Sequence, residues 1–157
     1  MMLHITVNGI SQDIHIEPNE LLVDVLRNQL GLTSVKKGCA DGECGACTVI
    51  LDRKAVNSCM ILAAEADGSE IMTVEGIMRD GKLHPLQEAF IEKSAMQCGF
   101  CTSGFLLTAA AYLMENPKPT LEEIKKAVVG NLCRCTGYAS IVNAIQLASQ
   151  NLIEKSR

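Results

Sequence analysis

Gly38-Cys39-Ala40-Asp41-Gly42-Glu43-Cys44-Gly45-Ala46-Cys47-Thr48 places three of the chain's eight cysteines in one short, glycine-rich and charged segment. No helical or strand periodicity runs through it, so residues 36–47 are expected to form a loop. With Cys59 the spacing becomes C-x4-C-x2-C-x11-C, which is the ligand spacing of a plant-type [2Fe-2S] cluster. Three thiolates can converge on one small inorganic core only if the backbone wraps tightly and turns N–H groups towards sulfur. Glycines at 38, 42 and 45 permit the tight, positive-φ conformations this requires.

Working outward, Leu3, Ile5 and Val7 alternate up to Asn8-Gly9, and Ile10, Ile14 and Ile16 follow. Alternation on both sides of Asn-Gly predicts a β-hairpin, since both central residues of a type I′ turn need positive φ. After Pro18, residues 19–31 read as a short helix with Asn19 as N-cap, Gly31 as stop and Leu22, Val25, Leu26 and Gln29 on helical spacing. Thr48-Val49-Ile50-Leu51 reads as a strand, Asp52-Arg53-Lys54 as a turn, Ala55-Val56-Asn57 as the partner strand, and residues 70–75 as a further strand. Past Gly76 the pattern becomes helical. Pro85 suits the first position of a helix to about Ala95, and Phe105 to Glu115 forms an apolar helix ending before Asn116-Pro117. Thr120-Leu121-Glu122-Glu123 is a capping box for a helix to about Val129, and Ile141, Ile145, Ala148 and Leu152 are spaced for a fourth. The expected class is α+β: a plant-type ferredoxin-like β-grasp over residues 1–76, then an all-α four-helix bundle over residues 77–157, with the boundary near Gly76 to Gly81.

The other four cysteines fall in the helical half, as Cys98-Gly99-Phe100-Cys101 and Cys133-Arg134-Cys135. Each pair precedes a predicted helix, so two helix N-termini would face one centre, lowering thiol pKa and favouring an anionic cluster. On spacing alone, a thioredoxin-like redox pair and half of a zinc site stay open for these pairs. For the first group, C-x4-C-x2-C-x11-C is not a usual zinc spacing.

Residues 38–48 (GCADGECGACT), 97–104 (QCGFCTSG) and 131–138 (NLCRCTGY), taken together and in order, resemble the iron–sulfur subunit of the molybdenum hydroxylases. This is the xanthine dehydrogenase and aldehyde oxidase family, in its bacterial form with separate subunits. The resemblance covers nearly the whole chain. It implies two [2Fe-2S] clusters, one held by Cys39, Cys44, Cys47 and Cys59, the other by Cys98, Cys101, Cys133 and Cys135. It also implies a large partner subunit with a molybdopterin cofactor, in its cytosine-dinucleotide form, touched by Gln97 and Cys135. A medium partner would carry FAD, the whole being a heterotrimer, alone or dimerised. The implied role is an electron relay from molybdenum to flavin. The implied substrate is an N-heterocycle such as xanthine or nicotinate, with aldehydes, carbon monoxide and aromatic acyl thioesters as the family's other choices. One departure is Ser103, where the family usually has proline. Serine is a good N-cap, so only rigidity around the second cluster is put in question.

Composition narrows the remaining classes. Of 157 residues 48% are hydrophobic, there is no Trp, and Tyr and Phe number two and three, so the core must be aliphatic. Net charge is −4, from 14 Lys and Arg against 18 Asp and Glu, which argues against a nucleic-acid partner. No stretch is apolar enough for a membrane span, and the first residues lack signal-peptide character, so a cytoplasmic location is expected. There thiols stay reduced, and eight cysteines read as ligands rather than disulfides. His4, His15 and His84 are scattered and read as surface residues, and no G-x-G-x-x-G follows a strand. No catalytic residue is therefore expected on this chain. An oxidised [2Fe-2S] core with four thiolates carries −2, so two would move the formal charge from −4 to −8.

Overall fold

The computed structural model describes residues 1–78 and 80–155. Arg79, within the expected boundary segment, and residues 156–157 lie outside the described residues. The hairpin forms as its sequence predicts: β1 (Met2–Val7) pairs antiparallel with β2 (Ile10–His15), and Asn8 and Gly9 both adopt positive φ, 52° and 80°. Leu3, Ile5, Val7, Ile14 and Ile16 are buried, whereas Ile10, at the turn, is exposed.

The helix expected over residues 19–31 is shorter and irregular. Residues 20–22 are tied to the segment 61–63, with Leu22 N–H donating to Ile61 O (2.9 Å) and Ala63 N–H to Glu20 O (2.8 Å). Those bonds keep the backbone extended, so Asn19 is not the cap. The N-cap is Leu21, followed by α1 (Leu22–Asp24) and a π-helical turn, Val25–Gln29. Gly31, at φ 68°, stops it as expected.

β3 (Thr48–Leu51) and β4 (Lys54–Asn57) form a second hairpin, whose turn residues Asp52 and Arg53 both take positive φ, 45° and 72°. This is a type I′ pattern without glycine. β5 (Glu70–Met72) is shorter than the expected 70–75, because Val74–Gly76 coil into a 3₁₀ turn. The sheet order is β2-β1-β5-β3-β4, with β5 parallel to β1 and antiparallel to β3.

Four helices follow. α2 (Pro85–Glu92) has Pro85 at its first position. Its N-cap is His84, half-buried, whose Nδ1 accepts from Leu86 N–H at 3.1 Å, so this histidine is a cap rather than a loose surface residue. α3 (Thr102–Glu115) begins three positions before the expected Phe105, directly after Cys101. α4 (Leu121–Ala127) carries the capping box on Thr120 and Glu123, and α5 is Ala139–Lys155.

Two apolar cores result. One lies between the sheet and α1 and includes Leu3, Ile5, Leu22, Leu26, Val49 and Ile71. The other is helical and includes Leu86, Phe90, Phe105, Ile124, Ile141 and Ile145. Strand alternation makes β3 serve both: Val49 points into the first core and Ile50 into the second. The sheet half is thereby fixed against α3 on the side that carries the cysteines. Among the described residues no helix is long and apolar enough to cross a membrane.

Candidate cluster sites

The loop 38–47 wraps as its glycines suggest, with Gly42 and Gly45 at φ 84° and 68°, and with Ala40 joining them at 61°. Gly38 is required for a different reason: a Cβ there would stand 2.9 Å from Cys44 Sγ. Cys44 N–H donates to Cys39 Sγ at 3.3 Å. Asn57 Nδ2 donates to Gly42 O at 2.9 Å, pinning the loop to β4. Ser58 donates through both N–H and Oγ to Cys47 O (3.3 and 2.7 Å), which brings the following residue, Cys59, beside Cys47. Cys47 and Cys59 are buried, Cys44 half-buried and Cys39 exposed.

In the second set Cys101 is the N-cap residue of α3, but its side chain makes no capping hydrogen bond. α5 opens only at Ala139, and the donors nearest the other pair come from the loop instead. Cys133 Sγ accepts from Cys135 N–H (3.4 Å), Thr136 N–H (3.4 Å) and Thr136 Oγ1 (3.1 Å). Cys133 N–H donates to Tyr138 Oη at 3.0 Å, and the Tyr138 ring packs on Phe105 at 6.2 Å. Cys98 Sγ and Cys135 Sγ lie 3.6 Å apart, and Gln97 Nε2 donates to Cys135 O at 3.2 Å.

The eight thiols gather two by two: Cys39 with Cys44, Cys47 with Cys59, Cys98 with Cys135 and Cys101 with Cys133. A mononuclear tetrahedral site, with metal–sulfur bonds of about 2.3 Å, needs all four sulfurs within about 3.8 Å of one another. Among the described residues no three or more His, Cys, Asp or Glu side chains are grouped so as to hold a metal ion. Two pairs of thiols, each suited to one metal, fit a two-metal core. Thr102 Oγ1, next to Cys101, is buried without a hydrogen-bond partner, a donor suited to an acceptor sulfur held by these thiols.

Burial pushes the Cys47 thiol up to about 11, and burial with the neighbouring Cys133 pushes Cys101 up to about 12. Burial acts against ionisation at Cys133 too, but the Thr136 hydroxyl and the N–H groups of Thr136 and Cys135 outweigh it, holding this thiol at about 7. The Phe100 N–H lowers Cys98, while its partner Cys135 is raised because it donates to Cys98. The Asp41 carboxylate pushes Cys39 up, yet the N–H groups of Asp41 and Cys44 bring it below its ordinary value. In the second set each pair thus has one sulfur shifted towards the thiolate and one shifted towards the thiol.

Residues 5–73 match the family described as a 2Fe-2S iron-sulfur cluster binding domain, and residues 73–146 the family described as a [2Fe-2S] binding domain. The chain is 53% identical to the nicotinate dehydrogenase small FeS subunit of Eubacterium barkeri, over 93% of each chain. It is 49% identical to the xanthine dehydrogenase iron-sulfur-binding subunit of Escherichia coli O157:H7, over 89% of each. The chain belongs to the iron–sulfur subunits of the molybdenum hydroxylase family. The structure of quinoline 2-oxidoreductase from Pseudomonas putida 86 superposes with a TM-score of 0.94 at 43% identity, covering 98% of this chain and 96% of that one. This subunit is an electron-transfer part of an oxidoreductase and binds [2Fe-2S] iron.

Several residues of the subunit that shape the sites gave no sequence signal of their own. Asn57, Ser58, Thr136 and Asn131 are ordinary polar residues until the fold brings them to the loops. Ser103, the departure the sequence shows, is not an N-cap: it lies beyond Cys101, in the first turn of α3, and its Oγ donates to Ser34 O at 2.7 Å. It therefore ties the first turn of the cysteine-bearing helix to the loop before Cys39, a bond proline cannot make. Ser103→Ala is expected to cost about 1 kcal/mol, lowering Tm by about 2–4 °C in a thermal melt, with iron content unchanged.

Proposed function

We propose that the subunit relays electrons one at a time from a molybdopterin centre on a large partner, through two [2Fe-2S] clusters, to FAD on a medium partner. The pairing of thiols two by two carries this reading. Cys39, Cys44, Cys47 and Cys59 would hold one cluster and Cys98, Cys101, Cys133 and Cys135 the other, within units 1–76 and 77–157. A bound cluster of this kind supplies one-electron storage. The chain's own residues gather the thiolates, aim N–H groups at them and keep water from the buried ligands. Cys98 and Cys135 are exposed, and Phe100 and Leu132, next to ligands in sequence, are exposed apolar residues, 46% and 53%, as a docked partner requires. Gln97, whose amide donates to Cys135 O at 3.2 Å, would touch the pterin. The substrate is an N-heterocycle of the nicotinate or xanthine type, supported by the names of the relatives, and the complex works in the reducing cytoplasm. Purification of the complex from cells that express all three subunits tests this. The expected composition is about two iron and two labile sulfide per set of four cysteines, with flavin bleached by an N-heterocycle. A colourless zinc-containing chain, or bleaching by aldehydes alone, overturns the corresponding part.

A further inference from the structure

The two cysteine loops touch each other, and the contact is built around Asn131. Asn131 is 4% exposed, and its Nδ2 donates to Gly45 O at 3.1 Å, across 86 positions of sequence. Beside it, Leu132 N–H donates to Cys44 O at 2.9 Å, and Leu132 is the residue before Cys133. Room for this approach exists only because both neighbours lack side chains. A Cβ on Gly45 would meet Gly130 O at 2.4 Å and Asn131 Nδ2 at 2.6 Å, and one on Gly104 would meet Gly45 O at 2.3 Å.

We propose that Asn131 is a positioning residue that locks the loop carrying Cys44 to the loop carrying Cys133 and so fixes how the two cysteine sets face each other. Gly45 lies between Cys44 and Cys47, so its carbonyl moves with both ligands. Asn131 lies two positions before Cys133, so its amide moves with the other set. One hydrogen bond between them, buried from water, holds the Leu132–Cys44 bond in register. That second bond leaves a backbone link from Cys44 to the residue before Cys133, so the spacing of the two sets, and with it any coupling between them, follows this bond. Without the amide, Gly45 O keeps its bonds from Thr48 N–H (3.2 Å) and Thr48 Oγ1 (2.7 Å), so what is lost is the side-chain bond that joins the two loops and the buried volume behind it, and the loops are free to part.

The inference rests on the cluster assignment above, and the experiment separates the two. In the purified complex, iron and labile sulfide, the spin–spin broadening between reduced clusters, and hydrogen exchange at the Leu132 amide are measured for the natural chain, Asn131→Ala, Asn131→Asp and Ser103→Ala. A natural chain without two clusters refutes the assignment itself. With clusters present, Asn131→Ala is expected to keep its iron, to exchange the Leu132 amide about tenfold faster and to lose broadening. Asn131→Asp keeps the shape but turns an oxygen towards Gly45 O, and should show the same change. Ser103→Ala, which acts elsewhere on the seam, should leave the Leu132 amide unchanged. Natural exchange and broadening in a loaded Asn131→Ala or Asn131→Asp protein overturns the proposal. So does loss of both clusters in these variants, since a parted seam leaves each set of four thiols intact.

Discussion

Gly45→Ala is expected to destabilise the chain by about 2–4 kcal/mol and to lower the iron content of the set it belongs to. Two costs combine. The backbone at residue 45 sits at φ 68°, a conformation that costs a residue with a Cβ about 1 kcal/mol or more. The new methyl group also has nowhere to go, since it would stand 2.4 Å from a backbone oxygen, Gly130 O, and 2.6 Å from the Asn131 amide; forcing volume into such a contact costs about 1–3 kcal/mol. Gly31 separates the two contributions. It has the same φ of 68° but nothing within 4 Å of its Cβ position, so Gly31→Ala should show the conformational cost alone and keep its iron. The check is urea denaturation of both variants beside iron analysis. Equal midpoints for Gly45→Ala and Gly31→Ala would show that the close approach between the loops carries no energy.

The contrast between these two glycines also shows where sequence reasoning stops. Gly31 was legible as a helix stop because that role is local: a periodic run ends and a glycine follows. Asn8-Gly9, Pro85 and the Thr120–Glu123 capping box were legible for the same reason, each depending on residues no more than a turn away. The cysteine spacing belongs with them, because a cluster's ligands must lie close in a wrapped loop. Failures came where distant segments decided the outcome. Asn19 would cap an isolated helix, but the bonds between residues 20–22 and 61–63 hold that backbone extended. β3 reads as a strand, yet nothing local says that Val49 and Ile50 enter different cores. Asp52-Arg53 lacks glycine, and its positive φ values are imposed by the pairing of the strands it joins. The seam at Gly45, Gly104, Asn131 and Ser103 is the largest such case. Each residue there has an ordinary local reading, and its role arises only from the packing of one half on the other.

Cys98→Ser in the complex is expected to halve the iron and to stop an N-heterocyclic substrate from bleaching the flavin. Cys98 is exposed and its sulfur lies 3.6 Å from Cys135 Sγ, so the substitution takes one member from an outer pair and leaves the fold's cores untouched. Folding should therefore survive, with an unchanged far-ultraviolet spectrum. Cys47 and Cys59 of the first set are buried in the sheet core, so the reduced signal of that set should persist at full intensity. Serine retains an oxygen that can ligate iron weakly; Cys98→Ala removes even that and should give the more complete loss. The decisive comparison is between two reductants. Dithionite, which needs no route through the second set, should still reduce the first set in both variants, whereas substrate should not. Such a split places the second set between substrate and the rest of the chain. Flavin bleaching by substrate at the natural rate in Cys98→Ala, with the second signal absent, would mean that electrons reach flavin by a path that bypasses these four thiols.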